Sequence, residues 1–256
     1  MATEQELASA PAEPPDSDAN PVGAGWSTYV RLVIIAHPDD AEFTCAGTVA
    51  RWIKEGSRVV YVICTDGSRG SNDPGMPPEQ MAPIRRTEQM EAARVLGVSE
   101  VLFLDHEDGT LEPSLELRLE LTRLIRRYKP DIVITGDPTR FFHRNVYINH
   151  PDHRAAAEAA IYAIFPSAVT RFIFPELLDE GLEPHKVQEV FVTGSPEPDT
   201  WVDISDTVEL KVAALRAHRS QVDPDYADQR TREWNGELGR KYGVAYAEEF
   251  RKIILR

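Results

Sequence analysis

From Tyr29 onward the chain alternates short, nearly unbroken apolar runs with longer stretches whose apolar residues recur at helical spacing. The runs are Val30 to Ala36, Arg58 to Cys64, Val101 to Leu104, Ile132 to Thr135 and Val190 to Thr193. Continuous apolar character, rather than strict alternation, marks strands covered on both faces. Between them, Ala41 to Glu55 closes on Gly56, Ile84 to Leu96 closes on Gly97, and Ser114 to Tyr128 stops short of Pro130. These are helices with C-terminal stop signals. A further helix is predicted over Arg154 to Ile164. Strand and helix in this order predict parallel strands joined by right-handed crossovers, hence a Rossmann-like, mostly parallel α/β sheet flanked by helices in one domain over 29–256. Ligands in such sheets bind beyond the carboxyl ends of the strands.

Residues 1–28 break this pattern. They are rich in Ala, Pro, Glu, Ser and Asp, carry five acids and no Lys or Arg, and hold almost no large apolar side chains, so the sequence predicts a disordered tail. The whole chain has 28 Lys plus Arg against 42 Asp plus Glu, a formal net charge of -14, which disfavours nucleic acid and other polyanions as partners. No apolar run is long enough to span a bilayer, and the N-terminus lacks the basic start and apolar stretch of a signal peptide. The two cysteines, Cys45 and Cys64, sit in apolar runs and cannot build a disulfide framework. A reduced, cytoplasmic protein with no membrane partner is the expectation.

Chemistry gathers at two strand ends. The first strand leads into Ala36-His37-Pro38-Asp39-Asp40 and then a helix. A helix start accepts one carboxylate as cap, which accounts for Asp39 or Asp40 but not for both acids and the histidine. The fourth strand leads through Gly136-Asp137-Pro138 and a loop bearing Phe141, Phe142, His143 and Tyr147 into His150-Pro151-Asp152-His153, again at a helix start. Strands 1 and 4 are common neighbours near the switch point of a doubly wound sheet. Together the clusters offer two imidazoles and one carboxylate, with acids and one imidazole to spare. Three protein ligands with an open position describe a catalytic zinc site, and ferrous iron accepts the same set.

Ala-His-Pro-Asp-Asp-Ala-Glu at 36–42 with His-Pro-Asp-His at 150–153 resembles the GlcNAc-PI de-N-acetylase family, the LmbE-like zinc deacetylases. Thr65-Asp66-Gly67, Arg85-x-x-Glu88 with Ala92-Ala93 and Leu96-Gly97, and Lys211 through His218-Arg219-Ser220-Gln221 agree with it. The resemblance covers roughly residues 30–256 and implies an LmbE-like fold. It also implies removal of the acetyl group from an N-acetylglucosamine-type amino sugar or its glycoside. It implies His37, Asp40 and His153 as metal ligands, Asp39 as general base, His150 as the group that stabilises the oxyanion or donates a proton, and Asp152 as the partner that orients His150. Arg85 and Asp108 match positions that hold sugar hydroxyls, although Arg85 also reads as a surface helix charge paired with Glu88.

Other features read as follows. Asp66-Gly67-Ser68-Arg69-Gly70 could cradle an anion, but a turn after a strand is the reading favoured here. His218 falls on a helix from Lys211 to Arg219. Trp234 lies in a polar stretch and could line a substrate cleft. Loops 68–83 and 137–149 are where substrate choice would reside. Phe141, Phe142, Phe172 and Phe174 offer an exposed contact surface on which copies of the chain could pair. Family members also cleave larger amide conjugates, so an amidase of a thiol-sugar adduct is an alternative. From another class, a phosphoacceptor module would also place an acidic pair after strand 1, yet it has no use for His-Pro-Asp-His. A non-catalytic metal-binding module is the third reading.

Overall fold

The computed structural model describes residues 29–143 and 146–256, so the tail expected over 1–28 lies outside the described residues. Among the described residues nine strands and eight α-helices follow in chain order: β1 (Val30–Ile35), α1 (Asp40–Thr44), α2 (Ala46–Lys54), β2 (Arg58–Thr65), α3 (Pro78–Leu96), β3 (Glu100–His106), α4 (Leu115–Tyr128), β4 (Ile132–Gly136), β5 (Phe142–His143), β6 (Tyr147–Ile148), α5 (Pro151–Tyr162), α6 (Glu176–Asp179), β7 (Glu189–Thr193), β8 (Thr200–Asp203), α7 (Val208–Leu215), α8 (Pro224–Tyr242) and β9 (Ala247–Ile254). The main sheet has the order β3-β2-β1-β4-β7-β9-β8, and β5 and β6 form a separate two-stranded ribbon. The five strands read from the sequence run parallel, while β9 joins β7 and β8 antiparallel. The expected mostly parallel α/β architecture is thus present, with an antiparallel edge added.

Both faces of the sheet are covered. On one side α4 and α5 bury Leu117, Leu121, Ala156 and Ala160 against Leu32, Ile34, Val60 and Val133. On the other α2, α3 and α7 bury Val49, Trp52, Ala92 and Ala214 against Val33, Val59, Ile63 and Phe191. Two-sided burial is what the unbroken apolar runs require.

The order reverses between β1 and β4, whose registers align Leu32 with Val133 and Val33 with Ile134. Their carboxyl ends, Ala36-His37 and Gly136-Asp137, therefore emerge side by side at the switch point. The end of β2 is tied to the same place, because the Thr65 amide (2.8 Å) and hydroxyl (2.9 Å) both donate to the Ala36 carbonyl.

The helix expected over Ala41 to Glu55 breaks at Cys45 into α1 and α2. A break frees the first amides of α2, and Glu248 of β9 takes them: its carboxylate accepts from Gly47 N (3.1 Å) and Thr48 N (2.8 Å). The Lys211 ammonium donates to Glu248 (2.7 Å) and to the Phe43 carbonyl (2.8 Å), so one buried ion pair joins α7 and β9 to both sides of the break. Gly47 has no room for a side chain, since a Cβ there would lie 2.7 Å from Ile204. No described helix is long and apolar enough to cross a membrane. Cys45 and Cys64 are buried free thiols, as the apolar runs suggested.

Candidate active site

His37 follows β1 and is buried beneath the start of α1. Its backbone amide donates to Asp40 Oδ2 (2.9 Å), and its Nδ1 lies 3.5 Å from the same oxygen. The other Asp40 oxygen is 3.1 Å from His153 Nε2. His153 reaches this point because His150 caps α5, accepting from the Asp152 amide (3.2 Å), with Pro151 in the first helical turn. The three imidazoles are neighbours: His37 has its centroid 4.7 Å from that of His150 and 5.1 Å from that of His153.

The second nitrogen of each candidate ligand is already held. His37 Nε2 lies 3.0 Å from Asp108 Oδ1 and 3.2 Å from Asp152 Oδ2, and His153 Nδ1 lies 3.1 Å from Asn149 Oδ1. The two acidic oxygens of Asp152 also accept the amides of Gly109 (2.7 Å) and Leu111 (3.2 Å). Asp152 was expected to orient His150. Its nearest carboxylate oxygen stands 3.9 Å from His150 Nδ1, outside hydrogen-bond range, so the ring it orients is that of His37.

Two overlapping sets of side chains could hold a metal ion, His37 with Asp40 and His153, and His37 with Asp108, His150 and Asp152. The electrostatics suit a cation. Burial works against a charged His37, yet Asp108, Asp152 and Asp40 together raise its pKa well above the ordinary value. Burial likewise opposes ionisation of Asp40, but His153 and His37 hold it well below the carboxylate range. Asp108, buried beside His37 and bonded by the Arg69 amide (3.0 Å), is held at about 2 in spite of its burial.

Asp39 diverges from its neighbour. Its φ of 90° is the left-handed region, rare for a residue with a Cβ, and its side chain does not cap α1. The helix-cap reading therefore fails for Asp39. Instead its carboxylate accepts from Arg85 Nη2 (3.2 Å), and burial pushes its pKa up to about 6 against the pull of that guanidinium. Arg85 is no surface charge paired with Glu88. It is 5% exposed and donates to the carbonyls of Gly67 (3.0 Å) and Pro38 (2.6 Å), while Glu88 instead accepts from Ser220. Gly67 has φ +64, and a Cβ there would meet Arg85 Nη1 at 3.0 Å, so a glycine admits the guanidinium. The turn read at 66–70 is present, with Asp66 accepting from the Ser68 amide (2.9 Å).

Sequence reasoning missed what lies beneath Asp39. The Asp39 amide donates to Gln89 Oε1 (2.9 Å), Gln89 Nε2 donates to Glu42 Oε1 (3.1 Å), and Glu42 Oε2 lies 3.3 Å from His218 Nε2. All three supporting side chains are fully buried. His218 does not ride on a helix to Arg219; α7 ends at Leu215, and the following turn carries His218 inward. Within α3, Gln89 follows Arg85 by four residues, one helical turn on the same face, and that spacing is the signal that could have found it.

Beside Asp40 and His153 opens a cleft of about 550 Å³ with an apolar floor including Ile34, Ala36 and Ala157. Its walls carry Arg140, His143, Tyr147 and Asn149 from the 137–149 loop, and Tyr226, Arg230 and Trp234 from α8. Trp234 thus lines the cleft, as its polar surroundings suggested. Phe141, Phe142 and Phe172 are exposed.

Residues 32–164, which hold both clusters, match the GlcNAc-PI de-N-acetylase family. The chain belongs to that family. A diacetylchitobiose deacetylase of Thermococcus kodakarensis is 36% identical over 194 residues, covering 76% of this chain and 70% of the relative. A 1D-myo-inositol 2-acetamido-2-deoxy-alpha-D-glucopyranoside deacetylase of Saccharomonospora viridis is 31% identical over 232 residues, covering 75% of this chain and 84% of the relative. The solved structure of N,N'-diacetylchitobiose deacetylase from Pyrococcus horikoshii, complexed with its inhibitor MPG, aligns with a TM-score of 0.80 at 34% identity over 89% of this chain and 84% of that one. Membership of this deacetylase family makes the chain a hydrolase of amide bonds and displaces the phosphoacceptor alternative.

Proposed function

We propose that the chain removes the acetyl group from an N-acetylglucosamine-type amino sugar or glycoside, with zinc held by His37, Asp40 and His153. The observation that carries this reading is the convergence of His37 Nδ1, an Asp40 oxygen and His153 Nε2, while the outer nitrogen of each ring is engaged by Asp152 with Asp108, or by Asn149. Metal-bound histidines are oriented this way by second partners. The rival set fits less well, because Asp152 in it is already bonded by two backbone amides. A zinc ion in the N₂O set would polarise the acetyl carbonyl and lower the pKa of a coordinated water to about 7; ferrous iron is the other ion this donor set accepts.

The chain's own residues do the rest. Asp39, its pKa lifted by burial to about 6, accepts the proton of the attacking water. Arg85 and the Gln89 amide fix that carboxylate and its backbone, so its orientation is set before substrate arrives. His150, at the mouth of the α5 cap, hydrogen-bonds the oxyanion as it develops. The amine leaves after taking a proton from Asp39 or His150. Asp108, buried with one oxygen on His37 Nε2 and the other on the Arg69 amide, acts on substrate through His37 rather than by holding a sugar hydroxyl, as Arg85 acts through Asp39. The relatives' substrates, amino sugars with an acetamide, support this class. The test is acetate release from N-acetylated sugars by the purified protein, with bound metal quantified before and after chelation. Zinc-dependent release supports the reading; a metal-loaded protein that frees no acetate from any of them refutes it.

A further inference from the structure

Asp39 holds a left-handed conformation, φ 90°, that a residue with a Cβ adopts only when its surroundings impose it. Its amide donates to Gln89 Oε1 (2.9 Å). A glutamine side chain can turn either its oxygen or its NH2 to that point, and the NH2 would meet the Asp39 N–H donor against donor. The choice is made at the other end of the amide. Gln89 Nε2 donates to Glu42 Oε1 (3.1 Å), and a carboxylate only accepts. Glu42 is aimed in turn by His218, whose Nε2 lies 3.3 Å from Oε2. That is the ring's one side-chain bond, since His218 Nδ1 is buried with no partner among the described residues. A fully buried imidazole and carboxylate carry a desolvation cost that apolar side chains of similar volume avoid, so as packing alone the pair is the less stable choice. The turn bearing His218 is fastened to the same helix as Gln89: Glu88 of α3 accepts from the Ser220 amide (2.8 Å) and hydroxyl (2.7 Å). Arg85, Glu88 and Gln89 stand at i, i+3 and i+4, so one strip of α3 holds the Asp39 carboxylate, the turn behind it and the Asp39 amide.

Building on the proposed deacetylation, we propose that His218 and Glu42 are positioning residues for the base: together they fix the orientation of the Gln89 amide and, through it, the backbone of Asp39. Both are fully buried and neither lines the cleft, so their effect on rate passes through Asp39.

The test is His218→Phe in the metal-loaded protein. The kcat for acetate release falls about tenfold, with KM changed by less than about twofold and bound metal at the wild-type level, because a displaced base costs rate rather than binding. His218→Gln, whose side-chain amide can still donate to Glu42, restores most of that loss. In a Gln89→Leu background His218→Phe costs no further rate, since the chain of bonds is already cut. A second readout needs no substrate: hydrogen exchange of the Asp39 amide, measured against the amides of Ala92 and Ala93 in α3, quickens about tenfold in His218→Phe. If phenylalanine prevents folding, His218→Asn, which ends short of Glu42, takes its place. An unchanged kcat, an unchanged exchange ratio at Asp39, or losses that multiply in the double variant overturns the proposal. A loosened Asp39 amide in a protein that frees no acetate would sustain the positioning chain and sink the deacetylase reading, so the two fail separately.

Discussion

The Arg85 guanidinium donates to the Pro38 carbonyl at 2.6 Å and to the Asp39 carboxylate at 3.2 Å, holding both the backbone and the side chain of one acid. The adjacent acid, Asp40, faces the opposite way, toward His37 and His153. Two consecutive carboxylates thereby enter different environments, and the left-handed turn at Asp39 is what separates them.

Arg85→Met should leave bound metal at the wild-type level and lower kcat by about 10- to 100-fold, with a smaller change in KM, because a misplaced base costs rate more than binding. Metal analysis with steady-state kinetics checks this. A raised KM at unchanged kcat would return Arg85 to the sugar hydroxyls.

Gln89→Leu removes the partner of the Asp39 amide and of Glu42 Oε1 in a site without solvent. Leaving two buried polar groups unpaired should cost about 2–4 kcal/mol, visible as a drop of several degrees in Tm, together with slower turnover. A calorimetric scan identical to wild type would show that water or a neighbour replaces the amide.

The inner lattice of the fold was legible because physics leaves few options for it. Strands buried on both faces must be apolar throughout, and the His-Pro-Asp clusters sit at strand ends where a parallel sheet binds ligands. What escaped was built from mixed surfaces. β9, Ala247 to Ile254, mixes Glu, Arg and Lys with apolar residues beside the edge strand β8, and α8 is mostly polar on an exposed surface from which Tyr226, Arg230 and Trp234 reach the cleft. The break at Cys45 depends on Glu248, two hundred residues away, and the His218 contact to Glu42 spans 176 residues, so neither leaves a local signal.

Burial lowers the pKa of His218, but its hydrogen bond to Glu42 and the surrounding carboxylates outweigh this and raise it above the ordinary value. The sign follows: the stabilisation is fully present below the unfolded histidine pKa of about 6.5 and is lost as pH rises through the folded value. In urea unfolding, the advantage of wild type over His218→Gln should shrink as pH rises above about 6.5. An advantage that grows with pH would mean that His218 is neutral in the fold.

Arg126 is buried and its guanidinium donates to the carbonyls of Ser167 (2.9 Å), Thr170 (2.9 Å), Ile173 (3.2 Å) and Ala168 (3.3 Å), gathering the segment after α5. Arg126→Met should destabilise the protein by about 3 kcal/mol or more, through carbonyls left without a donor, while kcat at room temperature stays at wild type. Denaturant titration beside an activity assay reads both.

In the proposed chemistry Asp39 and Asp40 do different work. Asp40→Asn should lose metal and activity together, since a neutral amide is a poor ligand for the dication. The most direct measurement is acetate released per bound metal by Asp39→Asn, whose amide keeps the size of the carboxylate but accepts no proton. The account predicts wild-type metal content with turnover down by about 10²–10⁴; a metal-loaded Asp39→Asn protein releasing acetate at nearly the wild-type rate would contradict it.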